Sequence, residues 1–440
     1  MLQKLAAGLA AALLCVVALD AQQLIGTAPP PAPGAKTAPG DHIFQTTKLH
    51  RIHVTMPADE WSVLQTSQVR GAQGGRGTDY TDQSGRLIHV GGGFGGYFPW
   101  GKATIRIEDG GRPVEFKDVG IRYKGNLSFQ RSSATAPLAA NFKVKLDVHG
   151  TKGTWDGIKT FNFHYGNVDT SKMRDVIAYS LFRAAGVPAP RTAQAELIFT
   201  VPGIYDRVSA GTFAFIEDVN DTFLERVMPP GRGLLMKPEG TRGGIQNLGD
   251  TWSSYATLYK PERDATPAEQ RRLIALAQLV SQPEVARFRH EIHQHLDVDA
   301  FLRFIAVHAL ISNTDSYLSG SHNYYLYLDP RDNKFRFIPW DQDLSLGSRP
   351  MGNSSTMTGI DIRRPWTGDN PLLYWVMDDP ANAQRYREIM GEIAAKYFNE
   401  KELLKLVDTL EKIGTGRGPS PREWLISRSR YVQETLATWK

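Results

Sequence analysis

The stretch KFRFIPWDQDLSLG, residues 334–347, alternates apolar and polar side chains as far as Ile338, the pattern of a half-buried strand. It then passes through Pro339, which keeps the segment out of a helix, and presents Asp341 and Asp343 two residues apart. Just upstream, NYYLYL (323–328) alternates in the same way, and the intervening DPRDN (329–333) consists of turn formers. A hairpin centred near Arg331 and Asp332 brings Asn323 opposite position 340 and so beside Asp341. Asp315 lies just before the hairpin, at the end of a helix expected over DVDAFLRFIAVHALISNTD. Two carboxylates and an amide, far apart in the chain, thus converge at one end of a hairpin.

That set suits phosphoryl transfer. An amide and a carboxylate hold Mg²⁺ (or Mn²⁺) against phosphates, while a separate aspartate accepts the proton of the attacking hydroxyl. Asp343 becomes a further metal ligand if the segment is extended, because alternation then puts it on the same side as Asp341. The competing readings are a Ca²⁺ site or a plain turn at DQD, and a helix-terminal polar residue at Asp315.

Composition bounds the rest. The chain has 440 residues, 41% of them hydrophobic and 22% charged, with a formal net charge of +5, which is ordinary for a globular protein. Lys and Arg are scattered among 46 acidic residues, which argues against nucleic-acid binding and for a solvated, mildly basic surface. Residues 1–21 read as an export signal, since their apolar run is shorter than the roughly 20 residues that span a bilayer. A secreted, periplasmic or cell-surface location without stable membrane insertion is therefore expected. Cys15 is the only cysteine, so a cleaved chain holds no disulfide, no thiolate metal site and no cysteine nucleophile. Residues 22–41 form a Pro/Ala-rich linker, and the folded body begins near His42. HEIHQH (290–295) places His290 and His293 one turn apart, but Gln294 stands where HExxH needs histidine, so an ordinary helix face is expected. Neither GxSxG nor an ordered Ser, His and Asp set points to a hydrolase.

The first half carries strands at ATIRIED (103–109), VGIRYKG (119–125) and NFKVKLDV (141–148). In the last of these Phe142, Val144 and Leu146 point one way and Lys143 and Lys145 the other. A helix follows, with a cap among Asp169–Ser171 and a stop at Gly186, then strands over 193–201 and 211–219 and a helix near 221–228. That order matches the small lobe of a protein kinase; the second half is mostly helical. Residues 71–101 are glycine-rich without GxGxxG or GxxxxGK[ST], which predicts a long flexible insertion rather than a phosphate loop.

IRYKGNLS (121–128), NFKVKLDV, DTSKMRDVIAYSLFRAAGVPAPRTA (169–193), GTFAFIEDV (211–219), ISNTDSYLSGSHNYYLY (311–327) and FRFIPWDQDLSLG (335–347) together resemble the spore-coat CotH kinase family, from about residue 45 to about residue 430. The resemblance implies an α+β, two-lobed atypical protein-kinase-like fold, with an N-terminal β-rich lobe (42–220) and a C-terminal mainly helical lobe (221–440). It implies ATP and Mg²⁺ (or Mn²⁺) as cofactors and transfer to Ser or Thr of exported proteins. Carried over by position, Arg122, Lys124, Gly125 and Asn126 resemble the turn over the nucleotide phosphates, and Lys143 or Lys145 the phosphate-contacting lysine. Asp315 resembles the catalytic aspartate, Asn323 and Asp341 the metal ligands, and Asp343 a further one. Glu217 falls where the hinge to the large lobe begins, a position that contacts the nucleotide base edge mostly through backbone groups. Lys124 stands where the family pattern has arginine, and no HRD or DFG is present. No glutamate occurs between 171 and 185 to pair with the strand lysine, which leaves Asp175 or Arg174 for that pairing, or none. Two other classes remain open: a binding module with Ca²⁺ on the aspartates and a polymer on Trp340, Trp366 and Trp375, and a kinase of a sugar or small-molecule hydroxyl.

Overall fold

The computed structural model describes residues 24, 37–69, 77–91, 96–132, 136–150, 153–238, 244–281, 284–348, 357–414 and 416–439. The expected signal segment and most of the expected linker lie outside the described residues. Among the described residues no helix is long and apolar enough to cross a membrane.

Period-two alternation builds the first half. β1 (Leu49–Thr55) is followed by four short strands, β2 (Gln68–Val69), β3 (Thr78–Thr81), β4 (Leu87–Gly91) and β5 (Gly96–Pro99). Six more come next: β6 (Gly101–Glu108), β7 (Val114–Lys124), β8 (Asn141–Lys145), β9 (Thr160–His164), β10 (Thr192–Val201) and β11 (Tyr205–Glu217). β1 and β6–β11 close into a barrel of order β1-β10-β11-β9-β8-β7-β6, antiparallel except where β1 runs parallel to β10. Its interior is aromatic and aliphatic, with Ile105, Ile121, Phe142, Phe199, Phe213 and Phe215 at 2% exposure or less. Each such side chain taken out of water contributes roughly 2 kcal/mol. With one face of every strand committed to this core, the opposite face of β7, β8 and β9 is free to carry polar side chains.

β2–β5 form a four-stranded sheet, which corrects the expectation of a flexible insertion over 71–101. Glycine content masked the alternation of β3 and β4. Their turn is closed by Asp82, whose Oδ1 accepts from the Ser84 and Arg86 amides at 2.9 and 3.0 Å, and Trp100 just after β5 is completely buried.

The second half packs helices against a three-stranded sheet of order β12-β13-β14, formed by Leu234–Met236, Tyr324–Asp329 and Lys334–Pro339. The helix Val298–Leu310 starts where expected, its Asp297 accepting from the Ala300 amide at 3.1 Å. The fold is therefore α+β, with one hydrophobic cluster inside the barrel and a larger one among the helices. The helix Arg174–Ala184 belongs to the larger cluster: Phe182 meets Phe304 at 6.1 Å and His308 at 4.8 Å. Its stop is as expected, with Gly186 at φ +80° and the Val187 amide donating to Phe182 O at 2.9 Å. His290 and His293 lie exposed on the helix Val285–His295.

Where the barrel meets the helices, Glu217 is locked between two guanidinium groups. Arg191 Nη2 and Arg226 Nη2 each donate to it at 2.6 Å, and its side chain is 2% exposed. Desolvation works against its charge, but Arg226 and Arg191 outweigh burial and hold the carboxyl below its ordinary value. Removing one member of a buried cluster strands the others. Glu217→Ala is expected to cost about 3–5 kcal/mol in urea unfolding; a loss below about 1 kcal/mol would show that the cluster does not hold the junction.

Candidate functional site

The hairpin forms in the expected register, with Tyr324 opposite Pro339 and Asp329 opposite Lys334. The ladder continues one step further, the Trp340 amide donating to Asn323 O at 3.0 Å, so Asn323 and Asp341 are neighbours. Asn323 Nδ2 donates to Asp315 O at 2.8 Å and to Asp315 Oδ2 at 3.1 Å, while His322 Nε2 lies 3.1 Å from Asp315 Oδ1. The three residues that sequence spacing brought together are together in space.

Asn323 and Asp341 both adopt left-handed backbone, at φ 57° and 54°. Asn and Asp tolerate that region better than other L residues, and such conformations persist only where the surroundings enforce them. Here the Asp341 amide donates to the Tyr179 hydroxyl at 3.0 Å and the Gln342 amide to Asp175 Oδ1 at 2.9 Å. Both partners lie on the buried helix Arg174–Ala184. On the other side, buried Asn313 donates from Nδ2 to Gln342 Oε1 at 2.9 Å and accepts from the Asp315 amide at 2.9 Å. The loop bearing Asp315 and the turn bearing Asp341 are thus clamped through one pair of buried amides.

The left-handed turn corrects the expectation for Asp343. The chain at 341–343 is not extended, so alternation does not set the two carboxylates side by side, and Asp343 does not line the cleft. It remains within electrostatic range: desolvation, then Asp341, Asp175 and Asp169, push its carboxyl well above the usual range. Desolvation also raises Asp341, with Asp175 and Asp315 adding to the rise and His164 and Lys124 opposing it. Asp175, raised to about 7 chiefly by burial, does not reach the strand lysines, and Arg174 pairs with Asp169 at 2.6 Å. The helix-to-lysine pairing considered from the sequence is not made by either residue.

The facing wall of the cleft, which encloses about 630 Å³, is cationic. Strand register sets Arg122 opposite Lys143, and Lys143 opposite Asn162. Lys143 Nζ donates to Asp218 Oδ1 at 2.9 Å, which also receives Asn162 Nδ2 at 2.8 Å. Lys145 reaches Asp79 Oδ2 at 2.9 Å on β3, at the edge of the cleft. Lys124 Nζ donates to Asn162 Oδ1 at 3.0 Å, sits 2.9 Å from His164 Nε2 and lies 4.9 Å above the Trp340 ring. The Arg122 guanidinium lies 4.9 Å from the Trp100 ring. Desolvation, then Lys237 and Lys143, hold Lys124 well below the ordinary lysine value; desolvation, then Arg122 and Lys145, act against Lys143, which Asp218 supports. At Gly125, φ is +93° and a Cβ would lie 2.2 Å from Ser128 Oγ, so the turn requires glycine.

Arg122, Lys124, Gly125, Asn126, Lys143, Lys145, Asn323 and Asp341 all line this cleft, and Asp315 is joined to it through Asn323 and His322. Glu217 does not line the cleft, and its side chain is committed to Arg191 and Arg226. The next residue, Asp218, does line it. Strand parity could have found it, because Phe213, Phe215 and Glu217 share one face of β11 and Asp218 falls on the other. Lys237, whose Nζ lies 5.4 Å from the Tyr325 ring and 5.5 Å from the Trp340 ring, had no motif to announce it.

Among the described residues no three His, Cys, Asp or Glu side chains form a metal-holding group by themselves. The donor set still fits a divalent ion that shares its coordination with phosphate. Mg²⁺ commonly takes one or two protein oxygens and fills its remaining positions with phosphate and water. Asn323 commits its amide nitrogen to Asp315, which leaves its amide oxygen as the ligating atom beside the Asp341 carboxylate.

The fold and the cleft define an α+β protein with a cleft lined by Arg122, Lys124, Lys143 and Lys237 on one side and by Asn323 and Asp341 on the other. The family model described as "CotH kinase protein" matches residues 121–424, and the chain belongs to that family. Inner spore coat protein H of Bacillus subtilis (strain 168) is 23% identical over 248 residues, covering 56% of this chain and 65% of that protein. The chain thus matches just under two thirds of the length of this relative. The family match begins at β7 rather than near residue 45, so β1–β6 lie before it.

Tyr179→Phe removes the acceptor of the Asp341 amide while keeping the ring. A loss of about 1 kcal/mol or more in unfolding free energy is expected; unchanged stability would mean that another group takes over this amide.

Proposed function

We propose that the chain is a phosphotransferase moving the γ-phosphoryl group of ATP to Ser or Thr hydroxyls of exported or surface proteins, with Mg²⁺ or Mn²⁺. On this reading the barrel and the helical core are the two lobes of an atypical protein-kinase-like fold, and residues 1–21 direct export. The observation that carries it is the opposition, across one cleft, of Lys124, Lys143 and Lys237 to the Asn323–Asp341 pair with Asp315 tethered beside it. Cationic side chains gathered on one wall of a cleft form a receptor for a polyanion, and family membership supports a kinase.

When bound, the metal nucleotide supplies the transferable phosphoryl group and a divalent charge on its phosphates. The protein's own groups do the rest. Lys124, Lys143 and Lys237 face the charge that builds on phosphate oxygens. Gly125, lacking a side chain, lets the backbone approach closely, and Arg122 and Asn126 border the same turn. Asn323 Oδ1 and the Asp341 carboxylate orient the metal. The Asp315 carboxylate, held by Asn323 on one oxygen and His322 on the other, accepts the proton of the acceptor hydroxyl. The Trp340 ring lies under the ammonium groups of Lys124 and Lys237, and the Tyr325 ring beside Lys237, which fixes where these cations sit.

The test is transfer of labelled γ-phosphate by the purified chain to itself and to a Ser/Thr-rich protein. Asp315→Asn is expected to lower the rate by about 100-fold or more, and Asp341→Asn, which keeps a residue tolerant of positive φ, should abolish metal-dependent transfer. Lys237→Met is expected to raise the KM for ATP and lower kcat, with Lys237→Arg restoring part of both. Folded wild type that neither transfers label nor is stabilised by Mg-ATP would overturn the proposal.

A further inference from the structure

A second cavity, of about 580 Å³, lies on the helical side and is lined by Arg363, Arg364, Arg387, Trp366, Tyr374 and Trp439. It is cationic and aromatic at once. Arg363 is held by Asp361, Nε and Nη2 each 2.9 Å from a carboxylate oxygen. Arg364 and Arg387 are exposed and make no ion pair among the described residues. Nearby arginines differ: Arg303 and Arg385 share Asp299 and Glu392 in a closed network. The one carboxylate on the cavity wall, Asp378, is engaged by Arg289 at 3.2 Å. Tyr374 is 49% exposed, a large aromatic surface left to water beside these cations.

The position of this cavity gives it a purpose. Trp366 is followed by a strap bonded to the loop that carries Asp315 and Asn323. The Thr367 amide donates to Leu318 O at 2.9 Å, and Asn370 Nδ2 donates to Tyr317 O at 3.0 Å and to Ser321 Oγ at 3.3 Å. A chain lying over Trp366 therefore runs alongside the loop where the proton-accepting carboxylate sits.

We infer that this cavity docks an acidic, aromatic-containing segment of the protein acceptor, with Arg364 and Arg387 pairing its carboxylates and Trp366 and Tyr374 stacking its ring. The inference rests on the kinase reading for the word acceptor, but docking itself needs no nucleotide. Arginine is the residue of choice for bidentate carboxylate recognition and for stacking on aromatic faces, and two guanidinium groups without an ion pair among the described residues, beside the exposed Tyr374 ring and the partly buried Trp366, supply both.

The experiment uses the full chain and a fluorescent, glutamate-rich peptide carrying one tyrosine and one serine, beside a counterpart with every glutamate replaced by glutamine. Anisotropy without nucleotide is expected to show binding of the acidic peptide, little of its counterpart, and at least a tenfold loss in an Arg364→Glu/Arg387→Glu variant. Both residues are exposed and without an ion pair among the described residues, so the variant keeps its fold, checked by its melting temperature, and keeps Mg-ATP binding. An Arg364→Gln/Arg387→Gln variant should fall between. In the transfer assay the charge reversal should raise the peptide KM and leave kcat near wild type. Acidic-peptide binding that ignores the charge reversal, or no binding while transfer proceeds, would overturn the docking site. Intact binding without any transfer would instead sink the kinase reading and leave the docking site standing.

Discussion

Everything at the site depends on one hairpin register. Tyr324 faces Pro339, and the next ladder bond runs from the Trp340 amide to Asn323 O. A slip of one residue would turn every side chain of the hairpin to the opposite face and part Asn323 from Asp341. The register is held by complete burial of Tyr324–Asp329 and by Phe337 packed on Tyr324 and Phe301. The hydrophobic core of the helical half thus sets the position of its polar chemistry.

The two walls of the cleft carry opposite charge for opposite reasons. Cations gather on the barrel wall because β7 and β8 must place one face in the barrel core, which leaves the alternate positions Arg122, Lys124, Lys143 and Lys145 outside. Acids gather opposite because Asp315 and Asp341 follow the ends of a helix and a strand. Between them Asp218 and Asp79 act as internal counter-ions for Lys143 and Lys145, partly offsetting a repulsion that bound phosphate would relieve. Asp79 belongs to the small sheet before the family match, so that sheet reaches into the site although the match begins later.

Much of this was legible in the sequence. The strands near 103–109 and 119–125, the strand expected over 141–148 as far as Lys145, the helix stop at Gly186 and the hairpin were all carried by periodicity and turn chemistry. The convergence of Asp315, Asn323 and Asp341 followed from the hairpin alone. What escaped has tertiary causes. The left-handed turn at Asp341 is imposed by Tyr179 and Asp175, more than 160 positions away in the chain, and no local pattern encodes it; that turn displaced Asp343 from its expected place. The place of Glu217 in FIEDV points to the hinge, but parity turns its side chain away from the cleft, to the junction of barrel and helices where two arginines neutralise it. The sheet at 78–99 was hidden by glycines, and Lys237 gains meaning only from the rings of Tyr325 and Trp340.

The central claim is that Asn323 and Asp341 jointly hold the metal of a nucleotide lodged against the barrel lysines. The most direct measurement is a crystal structure with Mn²⁺ and a non-hydrolysable ATP analogue, read by anomalous scattering. A peak bonded to Asn323 Oδ1 and an Asp341 carboxylate oxygen, with phosphates towards Lys124 and Lys143, is the predicted result. Nucleotide bound with its metal away from both residues, or a metal on the Asp169, Asp175 and Asp343 side of the turn, would contradict it.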